Sequence, residues 1–260
     1  GFSLLFALLI TGIGTGVTLR MSTYFDKKTP FARGLFILYI QLFMVAMLAT
    51  VLADNLLVLF VFWELTSLLS FLLVGFDSTN PVARRAAMQS LLVTVAGGLA
   101  LFAGILLIGI TAGTFSLSAL LADSTALTES PLLPVIVALV LLGAFTKSAQ
   151  APFHFWLPNA MAAPTPASAY LHSATMVKLG VYLVARFDPL FSTLPWFGPL
   201  LVGIGGLTML LAAVQALRAV EFKAVLAFST VAALGSIVML IGLDGEVAAV
   251  APVGFILAHA

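Results

Sequence analysis

The chain has 260 residues, of which 62% are hydrophobic and 8% charged, against roughly 45–50% apolar and ~25% charged in soluble domains, so a water-soluble globule is excluded. Eleven Lys and Arg against ten Asp and Glu leave a formal charge of +1, which excludes the basic surface that nucleic acid requires. The absence of Cys excludes disulfides, thiolate metal sites, iron–sulfur clusters and thiol nucleophiles. The expected solvent is the lipid bilayer, and no cofactor is called for. The chain opens on Gly1 and stops inside an apolar run at Ala260, so it reads as a fragment of a longer polypeptide.

A helix crossing the hydrocarbon core needs about 20 mostly apolar residues, and lipid forces its backbone groups to pair within the segment. In chain order, the apolar runs predict helices over 2–19, 34–53, 55–76, 86–111, 132 to about 163, 168–185, 196–217 and 224–243, and a further start at Val247. The fold class is therefore an all-α polytopic membrane protein with about nine segments of bilayer length. A β-barrel is excluded, because these runs are apolar on all sides and do not alternate. Segment 2–19 has the length of a signal-peptide core but lacks a basic leader and a cleavage site, so it is taken as a true span.

Counting connections alternately places Arg20, Lys27, Lys28, Arg33, Arg84, Arg85, Arg218 and Lys223 on one side and only Arg186 on the other. The bias of basic residues toward cytoplasmic loops assigns the first side to the cytoplasm. The alternation holds only if 132–163, thirty-two residues long, crosses once as an interrupted helix.

Glu64, Lys147, His172, Lys178 and His259 fall inside the apolar runs and are the candidate residues for chemistry. An ionised side chain at a helix centre costs at least ~2.5–3.5 kcal/mol on the insertion scale, so it persists where it has a partner, water or a task. Low dielectric disfavours the charged form of such a group and a nearby opposite charge favours it. A Glu and a Lys that alternately pair and separate would change proton affinity as they do so, which is what a proton relay requires.

Lys147 stands one turn before a break. Pro152, Pro158, Pro164 and Pro166 follow it closely, with His154 among them. Proline removes an amide donor and clashes with the carbonyl four residues back, so a continued helix would leave the Ser148 and His154 carbonyls free. Broken backbone at membrane depth is tolerated where protein or water satisfies it, and interrupted helices often line ion sites. Beyond the break, helical spacing puts Ser168, His172, Thr175 and Lys178 within an arc of about 120°. Neutral His both accepts and donates near neutrality, which suits it to pass protons between lysines.

Other signals are read as packing. Gly12-Ile-Gly14-Thr-Gly16 has no preceding strand and is assigned to a close helix contact of the small-xxx-small type. Asp54 and Asn55 are expected at a tight extracytoplasmic turn, and Trp63 as a packing residue.

Two long motifs carry a family resemblance: Asp54-Asn-Leu-Leu-Val-Leu-Phe-Val-Phe-Trp63-Glu64-Leu-Thr-Ser, and the stretch from Lys147-Ser-Ala-Gln-Ala-Pro-Phe-His-Phe-Trp-Leu-Pro-Asn to His172-Ser-Ala-Thr-Met-Val-Lys178. A third is Glu221-Phe-Lys223-Ala-Val-Leu-Ala-Phe-Ser-Thr. From about Phe31 onward, the chain resembles the antiporter-like subunits shared by Mrp-type cation/proton antiporters and the membrane arm of respiratory complex I. The Trp-Glu-Leu-Thr-Ser variant and the Lys at position 178 resemble the A-type branch of Mrp antiporters more than the distal complex I subunit. The resemblance implies a single transmembrane domain over 1–260, part of a proton-conducting bundle of about fourteen helices built on inverted five-helix repeats. It implies pairing of Glu64 with Lys147 at the interrupted helix, His172 and Lys178 as the next relay positions, and His259 on the helix leading to a second half-channel. Glu221 stands where the group often has Asp, and Phe255 where some members have His.

The expected function is that of a proton-translocating, non-enzymatic subunit of a multisubunit sodium/proton antiporter in a bacterial plasma membrane. Its partners would be the other membrane subunits, protons, sodium ions and the bilayer. The alternatives are a proton-pumping subunit of the quinone oxidoreductase, without its own redox site, and a structural subunit that transports nothing.

Overall fold

A computed structural model describes residues 1–24, 29–243 and 246–259. In chain order its helices are α1 (Phe2–Tyr24), α2 (Pro30–Leu52), α3 (Leu56–Val74), α4 (Pro81–Ala112), the short α5 (Leu117–Ala122) and α6 (Thr125–Thr128), α7 (Leu133–Lys147), α8 (Trp156–Ala160), α9 (Thr165–Ser168), α10 (Lys178–Phe191), α11 (Phe197–Arg218), α12 (Phe222–Ile241) and α13 (Glu246–Ala258). A 3-10 turn, Phe153–Phe155, precedes α8, and a π-helical turn, Ala169–Ala174, follows α9. Among the described residues α1, α2, α3, α4, α11 and α12 are long and apolar enough to cross a membrane, and α7 is apolar but shorter.

Local chemistry sets the helix starts. Thr29 caps α2 by accepting from the Ala32 amide, with Pro30 in the first turn. Asn55 caps α3 through the Leu57 and Val58 amides, and Asn80 caps α4 ahead of Pro81. Each supplies a side-chain oxygen to otherwise orphaned amides, and proline at the first helical position loses no bond. Gly113, at φ 69°, closes α4 in the left-handed region that glycine enters without strain.

Helix faces are inverted relative to those of a soluble protein. Along α4, Leu92 and Leu99 are 62% and 60% exposed, whereas Ser90, Thr94, Gly97 and Gly98 are buried. On α3, Val58, Val61 and Leu68 face outward while Trp63, Thr66, Ser67 and Ser70 face inward. Leucine is as comfortable in lipid as in a core, so helix association relies on small residues for close approach and on polar groups for bonding. Gly205 on α11 and Gly235 on α12 show this: a methyl on either would meet the other helix's backbone. Of Gly12, Gly14 and Gly16 in the middle of α1, only Gly14 makes such a contact, against Met44 and the Tyr170 hydroxyl; Gly12 and Gly16 face open space. The expected small-xxx-small contact is therefore not made by Gly12 and Gly16, and Gly14 alone packs closely, because glycines two residues apart point to different sides of the helix.

The expected single crossing over 132–163 is present. α7 begins near the end of the bundle where Asp54 bonds Ser116 and Ser118. The chain beyond α8 reaches the opposite end, where Asn159 donates to Gln89 and Lys223 donates to the Met161 and Ala163 carbonyls. Of the cytoplasmic assignments, Lys27 and Lys28 lie outside the described residues.

Candidate functional site

The break after α7 is held by side chains. Ser148 leaves helical geometry, Ala149 takes the left-handed φ of 49°, and the Gln150 side chain donates to the Ser148 carbonyl at 3.0 Å. The Ser148 hydroxyl donates to the Val177 carbonyl at 2.6 Å and accepts from the Val181 amide, tying the break to α10. The Ala151 amide donates to Thr208 of α11 at 2.9 Å. Carbonyls that proline frees thus find partners: Ser148 through Gln150, and His154 through the Trp156 amide. Pro158 sits inside the short α8, whereas Pro164 and Pro166 start α9, where their missing amides cost nothing.

Lys147 is fully buried at the C-terminal end of α7. Its Nζ donates to the Trp63 carbonyl at 2.9 Å and to the Ser67 hydroxyl at 2.7 Å, and lies 5.0 Å from the centre of the Trp63 ring. All three contacts come from α3, so Trp63 binds as well as packs. Glu64, the next residue on α3, has Oε1 buried without a hydrogen-bond partner. It lies within electrostatic reach of Lys147, but among the described residues the two make no direct ion pair within 4.0 Å. The α4 surface explains where these groups sit: Gly98 lies beneath Glu64 Oε1 and Gly97 beneath the Thr146 hydroxyl, and a Cβ at either position would overlap the side chain above it.

His172 is fully buried in the π-helical turn, with neither ring nitrogen bonded to protein. Its ring is edge-on to Trp156 at 6.1 Å, and Trp156 in turn donates to the carbonyl of Thr146, the neighbour of Lys147. Lys178, also buried, donates to the Ile256 carbonyl of α13 at 3.4 Å. His259, half-buried one helical turn further on, lies within electrostatic reach of Lys178.

Two clusters result, Glu64 with Lys147 and Lys178 with His259, with His172 bonded to neither. The expected continuous stripe from Ser168 to Lys178 is absent. The π-helical turn and the irregular backbone at Thr175 reset the helical phase before α10 begins. Ser168 and Thr175 are spent locally, donating to the Ala163 and Tyr170 carbonyls. His154 stands apart beside Gln215 of α11, at 3.4 Å.

Sequence reasoning does not single out Ser67, Gly98 or Lys223. Ser67 lies four residues after Trp63, on the same helix face, and that spacing is the available signal. Lys223 reads as a loop cation, yet it reaches in to the end of the interrupted helix and lies within electrostatic reach of His172. Asp54, outside the spans, has its carboxyl held below the usual range by the Ser116 hydroxyl and the Ser118 amide. A cleft of about 650 Å³, lined by Arg186, Asp188, Ser192, Phe197 and Ile256 among others, opens at the same end of the bundle.

An all-helical membrane fold with one span broken beside a buried lysine, and a carboxylate across from it, defines an antiporter-like helix bundle. The chain belongs to the NADH:quinone oxidoreductase/Mrp antiporter transmembrane family, whose model matches residues 53–260. It is 52% identical over 244 residues to the A-type subunit of the Na(+)/H(+) antiporter of Alkalihalophilus pseudofirmus, covering 94% of this chain and 30% of that protein. It is 50% identical to the A/B-type subunit of a probable K(+)/H(+) antiporter of Rhizobium meliloti, covering 100% and 26% respectively. The fold superposes with a TM-score of 0.92 on a chain of the Mrp complex from Dietzia, at 40% identity, covering 99% of this chain and 28% of that one. A chain of an archaeal membrane-bound sulfane sulfur reductase matches at a TM-score of 0.86 and 25% identity, covering 98% and 53%. The chain thus spans 30% or less of the length of these antiporter relatives.

Proposed function

We propose that this chain forms part of a larger transmembrane domain that moves protons within a multisubunit monovalent cation/proton antiporter of a bacterial plasma membrane. Two relatives, named for sodium and for potassium exchange, support the cation class. The observation that carries the reading is a buried lysine amine held by neutral acceptors, with a half-buried carboxylate alongside whose Oε1 has no hydrogen-bond partner. A permanent ion pair would lock both charges; an amine that can leave one acceptor set for the other can take up and release a proton. From Lys147 the proton moves past Trp156 to His172, then to Lys178 and His259. The gaps between these groups are too long for direct hydrogen bonds, and the unpaired His172 nitrogens call for bridging water, since buried polar atoms are bonded to protein or to ordered water. Sodium or potassium ions and the other membrane subunits are the partners of the assembled complex.

The test is cation-driven proton movement in membrane vesicles carrying the full complex. Glu64→Ala should abolish exchange while the complex still assembles, whereas wild-type exchange by that variant would refute the relay. A fully buried Lys147 with the half-buried Glu64 within electrostatic reach also favours transport over a purely anchoring role, because a bare anchor has no use for charges drawn into the bundle.

A further inference from the structure

The Lys147 site contains an acceptor that a simple charge pair does not need. We propose that Ser67 is a positioning residue: its hydroxyl, with the Trp63 carbonyl, forms a second seat for the Lys147 amine, which alternates between that seat and the Glu64 carboxylate. The proposal deepens the relay reading above and rests on it.

The two seats lie side by side on α3. The Trp63 carbonyl accepts from Lys147 at 2.9 Å and also from the Thr66 hydroxyl at 2.7 Å, so its lone pairs are shared. Ser67 Oγ, at 2.7 Å, is the shorter contact to the amine, and Ser67 is itself buried. A hydroxyl also has a property that neither carbonyl nor carboxylate has: it accepts from an ammonium and donates to a neutral amine. Ser67 therefore stays bonded to Lys147 on both sides of a proton transfer, whereas the Trp63 carbonyl only accepts. Being uncharged, Ser67 also holds the amine without the Coulombic grip of a carboxylate at low dielectric. Glu64 Oε1, unpartnered and seated over Gly98, is the acceptor to which the amine moves. Without the Ser67 hydroxyl, the charged amine has one shared neutral acceptor left and is biased to the carboxylate, and the neutral amine has lost its donor. The alternation slows in both directions.

The test compares Ser67→Ala, Ser67→Thr and Glu64→Gln in the complete complex, measuring exchange per assembled complex in vesicles. Loss of a hydrogen bond to a charged group predicts a fall of about tenfold or more for Ser67→Ala at unchanged complex content. Ser67→Thr, which keeps the hydroxyl, should restore exchange to within about twofold of wild type. A packing role predicts the reverse order, since Ala fits the site and the added methyl of Thr does not. Wild-type exchange by Ser67→Ala, loss of assembly in Ser67→Ala, or equal losses in the Ala and Thr variants each overturn the proposal. Glu64→Gln separates the two claims. If it retains exchange, the relay reading itself fails; if it is inactive while Ser67→Ala is fully active, only the second seat fails.

Discussion

Lys147 donates its amine protons to the carbonyl of Trp63, the residue immediately before Glu64, and not to Glu64 itself. A shift along one helical turn of α3 therefore separates the amine's present acceptors from a carboxylate. On the proposed alternation the amine moves between the two acceptor sets by side-chain rotation, which is on the scale of the rapid motions open to side chains.

Gly98 on α4 sets the floor of that switch. Gly98→Ala places a methyl where Glu64 Oε1 sits and should lower exchange by at least about tenfold, as misplacement of a reacting group costs 10²-fold in demanding cases. Gly12→Ala, where nothing lies within 4 Å, should leave exchange unchanged. The comparison is made per assembled complex in vesicles. Full activity of Gly98→Ala would show that the carboxylate position is not critical.

His172 separates structure from function in the opposite way. Both of its nitrogens are buried without a protein partner, so replacing it with an apolar ring breaks no hydrogen bond within the protein. His172→Phe should leave the melting temperature of the purified complex unchanged or raised, while exchange falls about tenfold or more, the usual scale of a lost proton-transfer group. A destabilised but fully active variant would assign His172 to the scaffold.

The interruption after α7 is legible in the sequence because proline acts locally: its missing amide and ring clash break a helix whatever surrounds it. The membrane class is legible too, since the lipid imposes length and apolarity on each segment separately; of the about nine segments expected, six have bilayer length among the described residues, and the expected 168–185 helix is divided among α9, the π-helical turn and α10. The partners of Lys147 are not legible. Which face of α3 meets α7 depends on rotations set by small residues such as Gly97 and Gly98, and nothing in a single helix's composition encodes them. The π-helical turn at Ala169–Ala174 shifts a hydrogen-bond register without a compositional mark, and the expected polar stripe fails there. Lys223 reads as a loop residue because its position at the start of α12 hides the inward reach of a long side chain.

Asp54 gives a pH test outside the spans. Hydrogen bonds from Ser116 and Ser118 hold its carboxyl below its unfolded value. A depressed carboxylate contributes stability that is present above the unfolded value and is lost as pH falls through the folded one. The connection between α2 and α3 should therefore loosen below about pH 4, and Asp54→Asn should remove that acid sensitivity. Hydrogen exchange of the Ser118 amide, which donates to the Asp54 carboxylate, reads it directly across that range. An identical acid response in the Asn variant would contradict the assignment.

The central claim is that the Lys147 amine gives up and regains its proton, and Lys147→Arg tests it most directly. A guanidinium keeps a positive charge at this position but does not deprotonate in proteins. In vesicles containing the complete complex at wild-type levels, the account predicts that Lys147→Arg loses cation/proton exchange as fully as Lys147→Ala. Exchange by the Arg variant at a rate close to wild type would contradict it and leave Lys147 as a fixed charge.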